Sequence, residues 1–370
     1  MSRPEDAVVL IPSLHPDRKL GDYVNDLIAH GFSRIVIVDD GSGTDYEHLF
    51  KSLAAFSECT VLSYPKNHGK GHALKHGMEY VQKALPDAPG VVTADSDGQH
   101  NAEDCLKVAQ AMLENPGSLV LGTRDFSQRD VPGKSRTGNR LTSFFFVILY
   151  GHWLPDTQTG LRGIGRQLLQ RAIGIPGERF EYEMNMLIHC AGWHLDFKIV
   201  PIRTIYLENN ASSHFRAFHD SARIYKLLFS NFFKFASSSA VASLLDIVLF
   251  TVLDKWLIPA AFPVFASGRD YSLVLAATAI ARISSALFNY KVNRQFVFQI
   301  ESRKGALMRY AVLVAFVMVL SAVMVASLSS WLGIDKTLVK MVVDSLLFFI
   351  NYRVQRTWVF SNPQERKTEA

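Results

Sequence analysis

Short apolar runs ending in charge alternate with helix-like periods over roughly the first two hundred residues, and long apolar runs dominate after about residue 230. Ala7–Pro12, Arg34–Asp40 and Cys59–Tyr64 read as buried strands, the first stopped by Pro12. The run beginning at Val91 ends at Asp95 and Asp97. Leu119–Asp125 follows as a strand, and Phe197–Tyr206 reads as an edge strand interrupted by Pro201. Between the strands, Leu20–His30, Tyr46–Phe56 and Phe180–Ala191 have helical periods, and the run TSFFFVILYGHWLP reads as a core or membrane-facing helix. This alternation predicts an α/β domain with a mostly parallel sheet.

Four later stretches, near 233–253, 272–290, 307–330 and 334–352, approach the roughly 20 residues that cross a bilayer. Lys and Arg gather before the first (Arg223, Lys226, Lys234), between the second and third (Lys291, Arg294, Arg303, Lys304, Arg309), and after the fourth (Arg353, Arg356, Arg366, Lys367). That asymmetry predicts a multi-pass protein of the inner membrane, with its soluble domain and both termini in the cytoplasm. Just upstream, Arg216, His219, Arg223 and Lys226 make one helical face, and Phe215, Phe218, Ala222, Tyr225 and Phe229 the adjoining one. The pattern suits a helix lying in the headgroup layer, or one packed on its own domain. Asp246, Arg282, Lys340 and Asp344 fall inside expected spans, where charges pair or face a polar path; Asp246 and Arg282 are expected to interact. NYKVNRQFVF from Asn289 and NYRVQRTWVF from Asn351 are near copies, so the two helical hairpins read as repeats of one unit. Both could instead be interfacial anchors.

Composition narrows the partners. A formal net charge of +5 over 370 residues, with no basic tract carrying interleaved aromatics, gives no sign of a nucleic-acid groove. Cys59, Cys105 and Cys190 share no metal-ligand spacing and read as reduced thiols. The N-terminal MSRPEDAVVLIP lacks the apolar core of a cleaved signal, so insertion is expected from the later segments.

The candidate chemistry sits where strands end. In VVTADSDGQH, Asp95 and Asp97 point the same way from an extended chain, so both can face one divalent cation and its phosphates. Unpaired they repel, and a cation removes the repulsion. A solvated turn is the other reading of D-x-D-G. Asp39 and Asp40 end a strand beside a glycine turn, which Ser42 or Asp45 could convert into a helix cap. Gly69-Lys70-Gly71 lacks the spacing of a Walker A loop, but its backbone could approach an anion at a helix N-terminus, with Lys70 adding a point charge. Arg124 arrives at the same sheet edge, able to fork onto phosphate, and Lys134, Arg136 and Arg140 follow in an expected loop. Glu181 and Glu183 open a helix, where its dipole favours them and competes with any catalytic role.

DSDGQH, the V-D-D-G-S run and N-x-G-K-G-x-A, in that chain context, resemble family-2 glycosyltransferases of the dolichol-phosphate mannose synthase and polyprenyl-phosphate type. The repeat-bearing half resembles GtrA-like four-helix membrane domains. The resemblance implies a GT-A-like domain over 1–211, an interfacial helix over 212–230, a four-helix membrane domain over 231–362 and a cytoplasmic tail over 363–370. It further implies Mg²⁺ or Mn²⁺ on Asp95, Asp97 and Gln99, and a nucleotide pocket shaped by Pro12, Asp39, Asp40, Lys70 and Asp95. The family's Tyr-Asn-Glu-like run after the first proline is PSLHPD here, which leaves Asp17 as the nearest acidic substitute.

DTQTGLRGI resembles the acceptor-side segment, with Arg162 gripping the acceptor phosphate alongside Arg124 and Arg136; a structural Asp156–Arg162 pair is the competing reading. The implied reaction is inverting sugar transfer from a nucleotide-diphosphate sugar to polyprenyl phosphate at the bilayer, with Asp95, Asp97, Arg124 and Arg162 as catalytic residues. Self-association of the chain is left open. The rivals are a processive polysaccharide synthase, whose Q-x-x-R-W signature is missing, and a lipid-sugar translocator with a ligand-binding soluble domain.

Overall fold

The computed structural model describes residues 2–128, 131, 133–203, 217–257, 271–298 and 305–360. The chain forms two compact units, 1–228 and 229–370.

Among the described residues of the first unit, seven strands lie in the order β3-β2-β1-β4-β6-β5-β7. They are β1 (Val8–Ser13), β2 (Ile35–Asp39), β3 (Cys59–Ser63), β4 (Gly90–Thr93), β5 (Leu119–Arg124), β6 (Arg162–Gly165) and β7 (Phe197–Ile202). β6 alone runs against the rest, between β4 and β5. The six expected strands are present. β6 is an addition, because four residues with two glycines give no period-two signal. Helices α1 (Lys19–Ala29), α2 (Glu47–Leu53), α3 (Lys70–Ala84), α4 (Ala102–Glu114), α5 (Gly133–Tyr150), α6 (Arg166–Ile173) and α7 (Glu181–Gly192) complete the unit. One core cluster joins Val9, Ile11, Ile35, Ile37 and Val92 of the sheet to Leu20, Val24 and Leu27 of α1 and Cys105, Val108 and Met112 of α4.

Two expectations are corrected here. Pro12 does not stop β1, which runs on to Ser13 with Pro12 opposite Val38. Val9 donates its N–H to Arg34 on the β2 side, so by alternation the nitrogen of Pro12 faces β4, and that ladder already ends at Leu10. No donor is missed. Arg136 and Arg140 lie within α5 rather than in a loop, and the apolar run beginning at Thr142 continues the same helix. The expected last strand is described only to Arg203, its final residues falling outside the described set.

The second unit is helical. α8 (Ala217–Val252) begins in the first unit and crosses into the second without a break, so the expected junction near 230 falls inside one helix. α9 (Tyr271–Val292), α10 (Ala306–Leu332) and α11 (Lys336–Val354) follow. These four match the expected spans. Two stretches, Ala222–Leu257 and Ala306–Leu332, are long and apolar enough by length and composition to cross a membrane. α9 and α11 are shorter, at 22 and 19 residues, and carry charges within them. Arg216, Arg303, Lys304 and the 363–370 tail lie outside the described residues.

The near-copied segments have the same structure. α9 and α11 each end in a π-helical turn, Asn293–Val297 and Gln355–Val359, at equivalent positions of the repeat. The copies also meet each other reciprocally. Tyr290 stacks on Phe360 at 5.6 Å and 30°, and the equivalent Tyr352 meets Phe298 at 5.9 Å and 31°. Tyr310 meets Tyr290 at 5.4 Å, as Phe235 meets Tyr352 at 5.2 Å. Between them the equivalent, buried Asn293 and Gln355 hydrogen-bond at 3.0 Å, and Phe298 stacks on Phe360 at 5.1 Å. Residue i touching j while j's counterpart touches i's is the signature of a two-fold relation.

Two ion pairs lie within these helices. Arg282 Nη2 lies 3.4 Å from Asp246 Oδ2, whose other oxygen accepts from Ser285 at 3.1 Å. Asp344 accepts from Ser321 at 2.6 Å and from Lys340 at 2.7 Å.

Candidate functional site

Parallel strands β2, β1 and β4 deliver their carboxyl ends to one edge, and the crevice between outward-winding neighbours is where open α/β sheets bind ligands. Asp39 ends β2, Asp40 follows it, and Asp95 lies two residues past β4. α3 begins at Lys70 after the glycine-rich turn that follows β3.

The centre is a chain of charges. Lys70 Nζ lies 2.6 Å from Asp95 Oδ1 and 2.9 Å from Glu183 Oε1, and His100 Nε2 lies 3.5 Å from Asp95 Oδ2. Burial alone lowers the pKa of Lys70, but attraction to Asp95 and Glu183 outweighs it and holds the ammonium above its ordinary range. Burial raises Asp95, yet Lys70 and His100 overcome that and leave it well below the usual carboxylate range. Asp97 is shifted the other way, pushed up first by burial and then by the charge of Asp95, although its Oδ1 accepts from Gln99 N–H at 3.1 Å.

Gly160 fixes how Asp95 lies. A Cβ there would stand 2.3 Å from Asp95 Oδ2, so only a glycine admits the carboxylate. The Gly160 carbonyl in turn accepts from Thr93 Oγ1 at 2.7 Å, tying the turn before β6 to the end of β4.

The glycine-rich turn meets an anion, and that anion belongs to the protein. Asp40 accepts from the N–H groups of His68 at 2.9 Å and Gly69 at 2.8 Å, and from Tyr64 Oη at 2.8 Å. Those donors are therefore spent within the fold rather than offered to a phosphate. Gly69 and Gly71 permit close approach to Glu178, Arg179 and Tyr182, against which an added Cβ would stand at 2.5 Å. Asp39 accepts from Ser42 N–H at 2.8 Å, closing the turn after β2, but neither Ser42 nor Asp45 caps α2, whose N-cap is Tyr46 without a side-chain bond.

The arginines divide. Arg124 forks onto the buried Asp156, Nε to Oδ2 at 2.7 Å and Nη2 to Oδ1 at 3.2 Å. The Asp156–Arg162 pair considered from sequence is thus replaced by Asp156–Arg124. Arg162 is 1% exposed and donates to the carbonyls of Thr159 at 3.0 Å and Glu183 at 2.7 Å, while its Nη2 has no hydrogen-bond partner among the described residues. Arg136 donates to the Gln128 carbonyl at 2.7 Å.

Glu183 is the residue that sequence reading left between a helix-dipole partner and a catalytic group. Its place in the first turn of α7 already had an electrostatic explanation, and only the fold shows it reaching Lys70. An acid two residues after another at a helix start, one facing in and one out, was the available signal.

The donors suit a hard divalent cation. Asp95 and Asp97 are carboxylates close enough to disfavour joint ionisation, which a cation would relieve. Among the described residues no group of three or more His, Cys, Asp or Glu is arranged to hold a metal ion, so further ligands would come from Gln99 or a bound diphosphate.

Residues 9–172 match glycosyl transferase family 2, and residues 234–360 match the GtrA/DPMS transmembrane domain. An uncharacterized protein of Methanocaldococcus jannaschii is 27% identical over 233 residues, spanning 62% of this chain and 93% of the relative. UDP-N-acetylglucosamine–dolichyl-phosphate N-acetylglucosaminyltransferase of Methanococcus voltae is 28% identical over 217 residues, spanning 54% of this chain and 86% of the relative. Glycosyltransferase AglJ of Haloferax volcanii is 25% identical over 206 residues, spanning 54% and 63%. The two matches fall on the sheet unit and the helical unit respectively, and they make this chain a family-2 glycosyltransferase joined to a GtrA/DPMS transmembrane domain.

Proposed function

We propose that the enzyme transfers a sugar from a nucleotide-diphosphate donor to a polyprenyl phosphate in one inverting displacement at the cytoplasmic face of a membrane. The observation that carries the reading is the convergence of Asp95, Asp97, Lys70 and Glu183 at the carboxyl edge of the sheet in a chain that also bears a transmembrane domain. The Methanococcus voltae relative, named for a UDP-sugar donor and a dolichyl-phosphate acceptor, supports the same substrate classes.

On this reading Asp95, Asp97 and Gln99 hold Mg²⁺ or Mn²⁺, which when bound offsets charge developing on the leaving diphosphate. Pro12, Asp39 and Asp40 shape the nucleotide pocket; Asp40 does so by holding the turn that starts α3. Lys70 keeps Asp95 ionised and aimed, and its link to Glu183 fixes α7 against the site. The acceptor phosphate brings its own anionic oxygen, which attacks the anomeric carbon as the bond to the diphosphate breaks. Positioning therefore matters more than a general base. Arg124, steadied by Asp156, is more open than Arg162 and is the stronger candidate for the acceptor phosphate, together with Arg136. Arg162 would act from behind, by holding the Glu183 carbonyl.

Radiolabelled nucleotide sugars offered with polyprenyl phosphate to the full chain in detergent test the reading. A lipid-linked monosaccharide, formed with Mg²⁺ or Mn²⁺ and lost on chelation, is the expected product. A polymer made without lipid acceptor would overturn it.

A further inference from the structure

Outside the carboxylate centre, the start of α3 carries a file of imidazoles. His68, His72 and His76 follow one another at intervals of four residues, the last two within the helix. The rings of His68 and His72 stack at 4.6 Å and 30°, and those of His72 and His76 lie nearly parallel at 6.5 Å and 7°. Tyr64 meets all three edge-to-face, at 5.5, 5.3 and 5.6 Å, and is itself fixed by its bond to Asp40. His72 and His76 are half-buried, and His68 is exposed.

A carboxylate orients the middle ring. His72 Nδ1 lies 2.8 Å from Glu178 Oε2. Burial raises the pKa of Glu178, but hydrogen bonds from Lys75 and His72 outweigh it, so the carboxylate is ionised and can only accept. Nδ1 of His72 therefore carries the proton, and the lone pair of the neutral ring is on Nε2. This is how imidazole ligates a metal, with one nitrogen donating to a carboxylate and the other taking the ion. Glu178 is itself held, by Lys75 at 2.5 Å and by the His72 N–H, which donates to its carbonyl at 2.9 Å. The charges of Lys75 and Glu178 cancel, so a cation at Nε2 meets no net repulsion from them.

His76 supplies a second imidazole one turn further along the same face. Residues four apart lie above one another on a helix, and two histidines at that spacing are a recurrent zinc-binding pair. The His76 ring touches those of His72 and Tyr64, and among the described residues no hydrogen bond commits its nitrogens. Packing does not call for the pair, because the buried face of α3 is made by Gly71, Ala73, Leu74, Gly77, Met78 and Val81. Two imidazoles are a chelate rather than a cage, in keeping with the lack of any three-donor group among the described residues. Imidazole favours Zn²⁺, Ni²⁺ and Cu²⁺ over Mg²⁺, whereas carboxylates suit the harder ion.

We propose that His72 and His76 chelate one borderline divalent ion of the Zn²⁺ class, with Glu178 orienting His72 and water completing the coordination. An ion on Nε2 makes the Nδ1 proton more positive and strengthens its bond to Glu178. Glu178 lies in the segment that leads into α7, and α3 begins at Lys70, which grips Asp95 and Glu183. The ion therefore fastens the first turns of α3 to the segment that delivers Glu183, while the harder cation is left to Asp95 and Asp97. The site is separate from the sugar-transfer centre and does not rest on the reaction proposed above.

The test uses the full chain in detergent, free of any affinity tag, with Zn²⁺ as the probe and excess Mg²⁺ present to occupy the carboxylates. Calorimetric titration is expected to show one saturable Zn²⁺ site that His72→Gln and His76→Gln each remove. Glu178→Gln should weaken it by about ten-fold or more, the loss that follows when a ligating histidine is deprived of its carboxylate. Zn²⁺ should also raise the unfolding midpoint of the wild type, and of neither histidine variant. Electron paramagnetic resonance of the wild type loaded with Cu²⁺ reads the ligands without any substitution, and couplings to two imidazole nitrogens are expected. Zn²⁺ affinity unchanged in both histidine variants would place the ion elsewhere and overturn the proposal. So would unsaturable uptake by the wild type, the mark of adventitious ions only, or copper coupled to fewer than two imidazoles. Affinity unchanged in Glu178→Gln would overturn the orienting role of the carboxylate.

Discussion

The two units partner their polar and charged groups by opposite rules. At the sheet edge one ammonium answers two carboxylates, a histidine leans on one of them, and a further carboxylate, Asp97, is left at a disadvantage by its neighbour. In the helical unit three groups have matched partners, Asn293 in Gln355, Asp246 in Arg282 and Ser285, and Asp344 in Lys340 and Ser321. Unmatched charge is destabilising, so it persists where a ligand completes it; matched polarity specifies how helices register. The contrast separates a site built for chemistry from contacts built for assembly.

The largest effect should come from the unmatched group. Asp97→Asn is expected to cut sugar transfer by at least about 100-fold, because charge on the leaving diphosphate is no longer offset. The unfolding midpoint should hold or rise, since the charge removed is one the fold disfavours. A variant that loses activity and stability together would place Asp97 among the matched groups and break the contrast.

A smaller effect is expected from the matched pair. Asn293→Leu or Gln355→Leu removes the bond between the two buried amides and leaves the survivor with only its other partner, Asn351 for Gln355 or Ser238 for Asn293, at a cost of about 1–3 kcal/mol. The double variant should recover part of that loss. Thermal unfolding of the detergent-solubilised chain measures all three, and strict additivity would show that the two amides do not depend on each other.

The smallest effect tests a pair of neither kind. Glu178 lies half exposed between Lys75 and His72. Its modest burial raises its pKa, but hydrogen bonds from those two side chains prevail and hold it below its ordinary value. A depressed carboxylate stabilises the fold above its unfolded pKa, near 4.3 for Glu, and loses that contribution as pH falls through the folded value. Glu178→Gln should therefore flatten the acid limb of the stability profile slightly, by no more than the roughly 1 kcal/mol such exposed pairs contribute. An unchanged limb would remove Glu178 from the balance.

How much of this was readable in the sequence followed from how local each feature is. β2 and β4 are short apolar runs leading into acid, and both the strands and their carboxylates can be recognised within ten residues. β6 could not be, because Arg162 and its glycines make a strand only when β4 and β5 flank them. The same distance hid the partners of Asp156 and Glu183, whose local surroundings offered simpler explanations. The start of α5 was obscured by Gly133 and Gly138, residues that weaken a helix unless packing supports it. In the membrane half the copied decapeptide was visible at once. That the copies would face each other was not.

The reciprocal contacts between those copies have a consequence for how the helical unit could be taken apart. One hairpin already presents the surface that its counterpart recognises, as a self-pairing protomer does. Linking two hairpins in tandem turns a meeting that depends on how many molecules share the membrane into one governed by tether length, with effective concentrations that reach the millimolar range for short flexible links. Identity is then no longer required on both sides. Lysines can appear in one copy without appearing in the other, as at Lys340 opposite Thr278. Split expression of 229–298 and 305–360 as separate chains should bring the dependence on abundance back.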